Sequence, residues 1–249
     1  MLHLLNNKDK SNNGNLRILF LGDSITADGR YIGLAREGLS RHRPGLAVEL
    51  LPCGVPSETV SGLSEAAHPF PRPCVHDRLA GELAAAGPDV VVACYGMNDG
   101  IYHPFSDKRF AAYQAGMLKL SALIREAGAA FVLLTPPPFD AVSMEGPLQP
   151  AEAEDFSYLA PYRDYDRVLK RYADWLLSGG CAADGVIDMR TPLLEHICHE
   201  RSLDASYRYG DGIHPDLSGH RIMAGVLLRE LFGAEPDGLL EQPSTPNPD

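Results

Sequence analysis

Five short apolar runs, separated by amphipathic stretches, constrain this chain more than any other feature. The runs are Leu16–Leu21, Leu46–Leu51, Val90–Cys94, Ala130–Thr135 and Gly185–Met189. Each is rich in Val, Ile or Leu and bounded by Gly, Pro or Asp, which predicts buried strands. Helical periodicity between them is clearest over Arg109–Glu126 and Tyr162–Leu177. A last helix is predicted over Pro215–Phe232, with Pro215 in its first turn and Ile222, Met223, Val226, Leu227 and Leu231 on one face. This alternation predicts an α/β fold, a three-layer α/β/α sandwich with a five-stranded parallel sheet and right-handed crossovers.

No internal repeat interrupts the pattern, so a single domain is expected over residues 16–234. Asn6–Asn15 is polar and Asn-rich, and residues 1–15 are expected to be a flexible segment. Residues 235–249 carry four prolines and little apolar content, the composition of a disordered tail. Pro136–Pro161 holds six prolines and is long for a connection in such a fold, where long loops are usually functional or floppy.

Charge and cysteine content narrow the function classes. Lys and Arg total 22 against 33 Asp and Glu, a formal net charge of −11. That balance argues against nucleic acid and anionic lipid as partners, since both demand clustered basic side chains. The five cysteines, Cys53, Cys74, Cys94, Cys181 and Cys198, are scattered and form no CxxC pair. Reduced thiols are therefore expected, with Cys53 and Cys94 as small buried fillers. No run of about 18 apolar residues is present, and the apolar start Leu2–Leu5 is broken by His3 and lacks the form of a secretory leader. A cytoplasmic protein is the expectation.

In an open parallel sheet, ligands bind beyond the carboxyl ends of the strands. Four blocks stand at such places: Gly22-Asp23-Ser24, Pro52-Cys53-Gly54, Gly96-Met97-Asn98-Asp99 and, before the last helix, Asp211-Gly212-Ile213-His214-Pro215. Together they supply the parts of an acyl-transfer site. Ser24 suits a nucleophile, His214 a general base and Asp211 the group that orients the imidazole. The backbone N–H groups of Ser24 and Gly54 and the side-chain amide of Asn98 suit an oxyanion hole. Asp23 and Asp99 are expected to brace these loops. Tyr95, Tyr102 and His103 flank Asn98 and are candidate substrate-lining residues. The cluster His196-Ile197-Cys198-His199-Glu200 lacks the HExxH spacing of a metal site and is read as a helix end. His220 and Arg221 are placed on the surface of the last helix.

In these blocks the chain resembles the SGNH, or GDSL-type, hydrolases. The matches are GDS at Gly22–Ser24, Gly54, GxND at Gly96–Asp99 and DGxHP at Asp211–Pro215, in the family's order. The resemblance implies a flavodoxin-like sheet of order 2-1-3-4-5, and ester hydrolysis by a Ser24–His214–Asp211 triad with neither metal nor other cofactor. One block departs from the pattern: Pro52 stands where the family often has Asn, and Ser57 where it often has Gly. The reading is a serine esterase for short acyl groups, with an O-acetylated carbohydrate as the first substrate class. Two alternatives are a lysophospholipase or thioesterase on longer chains and a non-catalytic binding protein on the same scaffold.

Overall fold

Strand β3 (Val90–Cys94) is buried along its whole length, and β1 (Leu16–Gly22) is buried from Ile18 onward. Both are central strands, covered on two faces, which is why they read as unbroken apolar runs rather than alternating ones. The computed structural model describes residues 15–234. The expected loose ends, Asn15 apart, lie outside the described residues. The sheet is completed by β2 (Val48–Gly54), β4 (Ala130–Leu134) and β5 (Gly185–Ile187). All pairings are parallel, in the order β2-β1-β3-β4-β5.

Helices α1 (Ser24–Asp28), α2 (Arg30–His42), α3 (Leu79–Ala86), α4 (Asp107–Glu126), α5 (Tyr165–Leu177), α6 (Arg190–Leu203) and α7 (Leu217–Phe232) connect and cover these strands. The step from β1 to β2 runs opposite to the later steps across the sheet. Right-handed crossovers therefore place α2 on one face and α3, α4 and α5 on the other. On the first face α2 packs against α7, which also packs against α6. On the second, α4 and α5 meet through Tyr113 and Tyr172, stacked at 4.4 Å, with Phe110 and Trp175 beside them. No helix among the described residues is long and apolar enough to cross a membrane.

Several boundaries differ from the sequence expectations, each for a local reason. β2 begins two residues later than predicted and runs on through Pro52 to Gly54. It is an edge strand, where a proline without an N–H is tolerated. β5 stops at Ile187 because the Asp188 carboxylate turns to accept the N–H groups of Arg190 and Thr191 at the start of α6. α7 begins at Leu217, not Pro215, because Asp216 is its N-cap and accepts from the Gly219 N–H at 2.8 Å. His220 is corrected from helix surface to interior: its ring is buried and stacked on Tyr31, on the face where α7 meets α2.

The Pro136–Pro161 connection is tied down. Phe139, Asp140, Ser143 and Phe156 are buried. The Asp140 carboxylate receives both ends of the Arg201 guanidinium and the Ser143 hydroxyl. Its backbone N–H donates to the Gly212 carbonyl at 2.8 Å, linking this segment to the loop before α7.

Candidate active site

The strand order brings the sequence blocks together. Gly22 at the end of β1 lies in register with Gly54 on one side and Cys94 on the other. β1 is the point at which chain direction across the sheet reverses, the usual place for a ligand crevice in such folds.

Ser24 is the first residue of α1, directly after the N-cap Asp23. The Asp23 carboxylate accepts the Ile25 N–H at 3.0 Å and so leaves the Ser24 N–H uncommitted to the cap. Ser24 Oγ lies 2.7 Å from His214 Nε2, across 190 residues of sequence. His214 Nδ1 lies 2.8 Å from Asp211 Oδ2. The carboxylate holds the proton on Nδ1, which leaves Nε2 as the acceptor for the Ser24 hydroxyl. Asp211 also builds its own loop, for Oδ1 accepts the N–H groups of Ile213 and His214 at 2.9 and 2.7 Å. Gly212, between Asp211 and Ile213, has φ 91°, a backbone conformation that glycine adopts freely.

Electrostatics follow from these contacts. Burial works against the Asp211 charge, but the His214 side chain and backbone outweigh it and hold the carboxyl down at about 2. The same Asp211 hydrogen bond raises His214 above the ordinary histidine value, against the pull of partial burial. Beneath the site, burial pushes Asp23 up to about 7 although the Ile25 N–H and His214 pull it down. Burial likewise raises Asp99 to about 6, offset in part by the Ser61 and Val60 N–H groups. Asp99 Oδ1 accepts those two N–H groups at 2.8 and 2.9 Å, bracing the block after β3 against the chain after β2.

Asn98 is buried and its amide is held at both ends. Nδ2 donates to the Glu58 carbonyl at 3.2 Å, and Oδ1 accepts from the Tyr102 hydroxyl at 3.0 Å. Only an NH2 group can face a carbonyl oxygen, so the contact to Glu58 fixes which way the amide points. Its second N–H is left for another acceptor. Gly54 is wedged under α1, where a Cβ would collide with the backbone of Thr26 and Ala27. The next N–H, that of Val55, is spent on the Gly22 carbonyl. Asn98 thus touches the far end of the Gly54–Glu58 turn. Within that turn Ser57, where the family often has Gly, holds a left-handed φ of 66°.

Tyr95 and Tyr102 are placed as supports rather than as an open lining. Both are about 1% exposed, and the Tyr95 hydroxyl donates to the Glu58 carboxylate at 2.6 Å. Their apolar rings complete the core under the site, and burial keeps both phenols neutral, well above their usual range. His103 is half-buried, with Nδ1 on the Ile101 carbonyl and its ring tilted against Phe156. Cys94 is buried, and the half-buried Cys53 receives Arg78 on its sulfur. The His196–Glu200 cluster lies within α6, along a cavity of about 800 Å³ whose lining contains no residue of the triad. Among the described residues no group of three His, Cys, Asp or Glu is placed to hold a metal.

Sequence reading missed the charged pairs behind the site, Glu58–Arg78 and Glu65–Arg72. Each sits in a loop rich in polar residues and Pro, which reads as surface, and nothing local marks the partner.

Comparisons with known proteins add three structural likenesses. The acetylxylan esterase Axe2 from Geobacillus stearothermophilus matches with a TM-score of 0.57 and 21% identity, over 87% of this chain and 94% of its own. The acetyl xylan esterase AlAXEase matches at 0.55 and 21%, over 85% and 98%. BT4096, a gut microbial diltiazem-metabolizing enzyme, matches at 0.67 and 20%, over 89% of this chain but 48% of its own, so this chain spans about half its length. At these identities the likeness speaks for the fold. Comparison with curated protein sequences returns no match. The model of the GDSL-like lipase/acylhydrolase family matches residues 20–222, across all four sequence blocks. By that match the chain belongs to the GDSL-like lipase/acylhydrolase family and is a carboxylic ester hydrolase.

Proposed function

We propose that the protein is a serine esterase that removes short acyl groups, acetyl foremost, from esters of carbohydrates. The observation that carries the catalytic part is the continuous chain Ser24 Oγ–His214 Nε2 and His214 Nδ1–Asp211 Oδ2, at 2.7 and 2.8 Å. His214 takes the Ser24 proton as Oγ attacks the ester carbonyl, and Asp211 stabilises the imidazolium that forms. Negative charge on the carbonyl oxygen is met by the N–H groups of Ser24 and Gly54 and the free N–H of the Asn98 amide. The tetrahedral adduct collapses, the alcohol leaves with the proton from His214, and an acyl-Ser24 ester remains. Water, deprotonated by His214, then releases the carboxylic acid and restores the serine.

The carbohydrate part draws support from the acetylxylan esterases among proteins of the same fold. The test is hydrolysis of p-nitrophenyl acetate, butyrate and octanoate, and of acetylated xylooligosaccharides, with Ser24→Ala alongside. Turnover that vanishes in the variant and falls with acyl length is the expected result. Turnover retained by Ser24→Ala overturns the nucleophile, and a rise towards octanoate turns the substrate reading to longer acyl chains.

A further inference from the structure

The Glu58 carboxylate is fully buried and has three hydrogen bonds, two from the Arg78 guanidinium at 2.6 and 2.7 Å and one from Tyr95. Arg78 does more than neutralise it. Its Nη2 also donates to the Cys53 carbonyl at 2.8 Å, and its Nη1 lies 2.9 Å from Cys53 Sγ. Cys53 and Glu58 are the residues that flank the turn Gly54–Ser57. One guanidinium therefore grips both ends of that turn. The Glu58 carbonyl, at its far end, is the acceptor that sets the direction of the Asn98 amide.

A loop that served only to connect β2 with the chain beyond would not need such a clamp. This one holds Ser57 in a left-handed conformation that disfavours any residue with a Cβ. Backbone held in that region persists where the surroundings over-determine it, and such places cluster at functional sites. A second buried pair adds to the restraint. Arg72, bound to Glu65 at 2.6 and 2.7 Å, also donates to the Ser57 carbonyl at 3.2 Å.

We propose that Arg78 and Glu58 are a positioning pair for the oxyanion side of the site: they close the Gly54–Ser57 turn and, through the Glu58 carbonyl, hold Asn98 where its free N–H meets the developing charge. This rests on the esterase reading above. It differs from a purely structural role in its kinetic signature. Asn98 acts on charge that appears in the transition state, so loosening it lowers kcat and leaves KM nearly unchanged. A positioning pair that works through Asn98 also loses its effect once Asn98 is gone, because coupled residues are not additive.

The experiment is a double-mutant cycle on p-nitrophenyl acetate hydrolysis, with Ser24→Ala as the control and circular dichroism to confirm folding. Arg78→Lys, Glu58→Gln and Tyr95→Phe are each made in the wild-type and Asn98→Ala backgrounds. Arg78→Lys is expected to lower kcat about tenfold or more with KM within about twofold, and to cost less than about threefold once Asn98 is alanine. Tyr95→Phe keeps the ion pair and is expected to cost only about two- to fivefold. If Arg78→Lys fails to fold, Glu58→Gln and Tyr95→Phe carry the same cycle. Folded variants with wild-type kcat, or losses that multiply in full with Asn98→Ala, overturn the proposal while an inactive Ser24→Ala keeps the esterase reading. An active Ser24→Ala overturns the esterase reading and the proposal together.

Discussion

The Tyr102 hydroxyl donates to Asn98 Oδ1 at 3.0 Å, opposite the face of the amide that donates to Glu58. The tyrosine ring is itself fixed, stacked on Tyr165 at 4.9 Å with the Arg72 guanidinium 5.4 Å from its centroid. Tyr102→Phe keeps the ring and removes only the hydroxyl. Loss of a buried hydrogen bond of this kind costs about 1 kcal/mol. The expected outcome is a kcat reduced about three- to tenfold, with KM unchanged. Steady-state kinetics on p-nitrophenyl acetate check this, and an unchanged kcat removes Tyr102 from the support of the site.

Activity falls in acid as His214 takes a second proton and Nε2 ceases to accept from Ser24. Asp211 raises the His214 pKa, so this limb lies higher than it would for an ordinary histidine. Asp211→Asn removes the cause of the shift and the preference for the Nδ1–H tautomer. We expect kcat to drop by roughly 10²–10⁴-fold and the residual activity to show its acid limb at lower pH. A pH–rate profile of both proteins checks the direction, and a limb that stays in place denies Asp211 its orienting role.

Asp99 makes stability depend on pH in the opposite sense from a salt-bridged carboxylate. Its pKa rises from 3.8 to about 6 in the folded protein, chiefly through burial. Between those values the folded state holds a proton that the unfolded state has released, so this group's contribution to stability falls as pH rises through the window. Asp99→Asn cannot ionise, and its carbonyl can still accept from Val60 and Ser61. Thermal melts from pH 4 to pH 6 are therefore expected to show wild-type stability declining relative to the variant. A difference that stays constant over this range contradicts the raised pKa.

Ser57 tests whether the turn or the side chain matters. Glycine there removes about 1 kcal/mol of left-handed strain and adds back about 0.5–1 kcal/mol of unfolded-chain entropy. Ser57→Gly is expected to melt within a few degrees of wild type and to keep its kcat. A stability loss above about 2 kcal/mol would instead assign the Ser57 side chain a contact of its own.

The sheet was legible because its central strands are buried on both faces, and Val90–Cys94 is bounded as the sequence indicates. The serine, histidine and Asn98 blocks were legible for a related reason. Each sits at the carboxyl end of a strand or before a helix, and the strand order that the family resemblance implied brings Ser24, Gly54 and Asn98 into one neighbourhood. What sequence could not give were relationships between distant side chains. Glu58 and Arg78 are twenty residues apart and look like ordinary surface charges until the fold buries one under the other. Tyr95 and Tyr102 flank Asn98 in sequence, but whether a flanking ring faces substrate or core depends on the elements packed behind it. His220 shows the same limit, since a histidine three residues into a helix stands on the surface unless another helix covers it.

Asp211 and His214 are three residues apart in one short loop, which the carboxylate itself folds by accepting two backbone N–H groups. The carboxylate and the imidazole therefore travel as one cassette, held together within the loop. The 2.7 Å gap to Ser24, by contrast, joins positions 190 residues apart and depends on how the fold seats this loop beside α1. On the esterase reading, damage that shifts this loop relative to α1 parts the base from the nucleophile while leaving the Asp211–His214 pair intact.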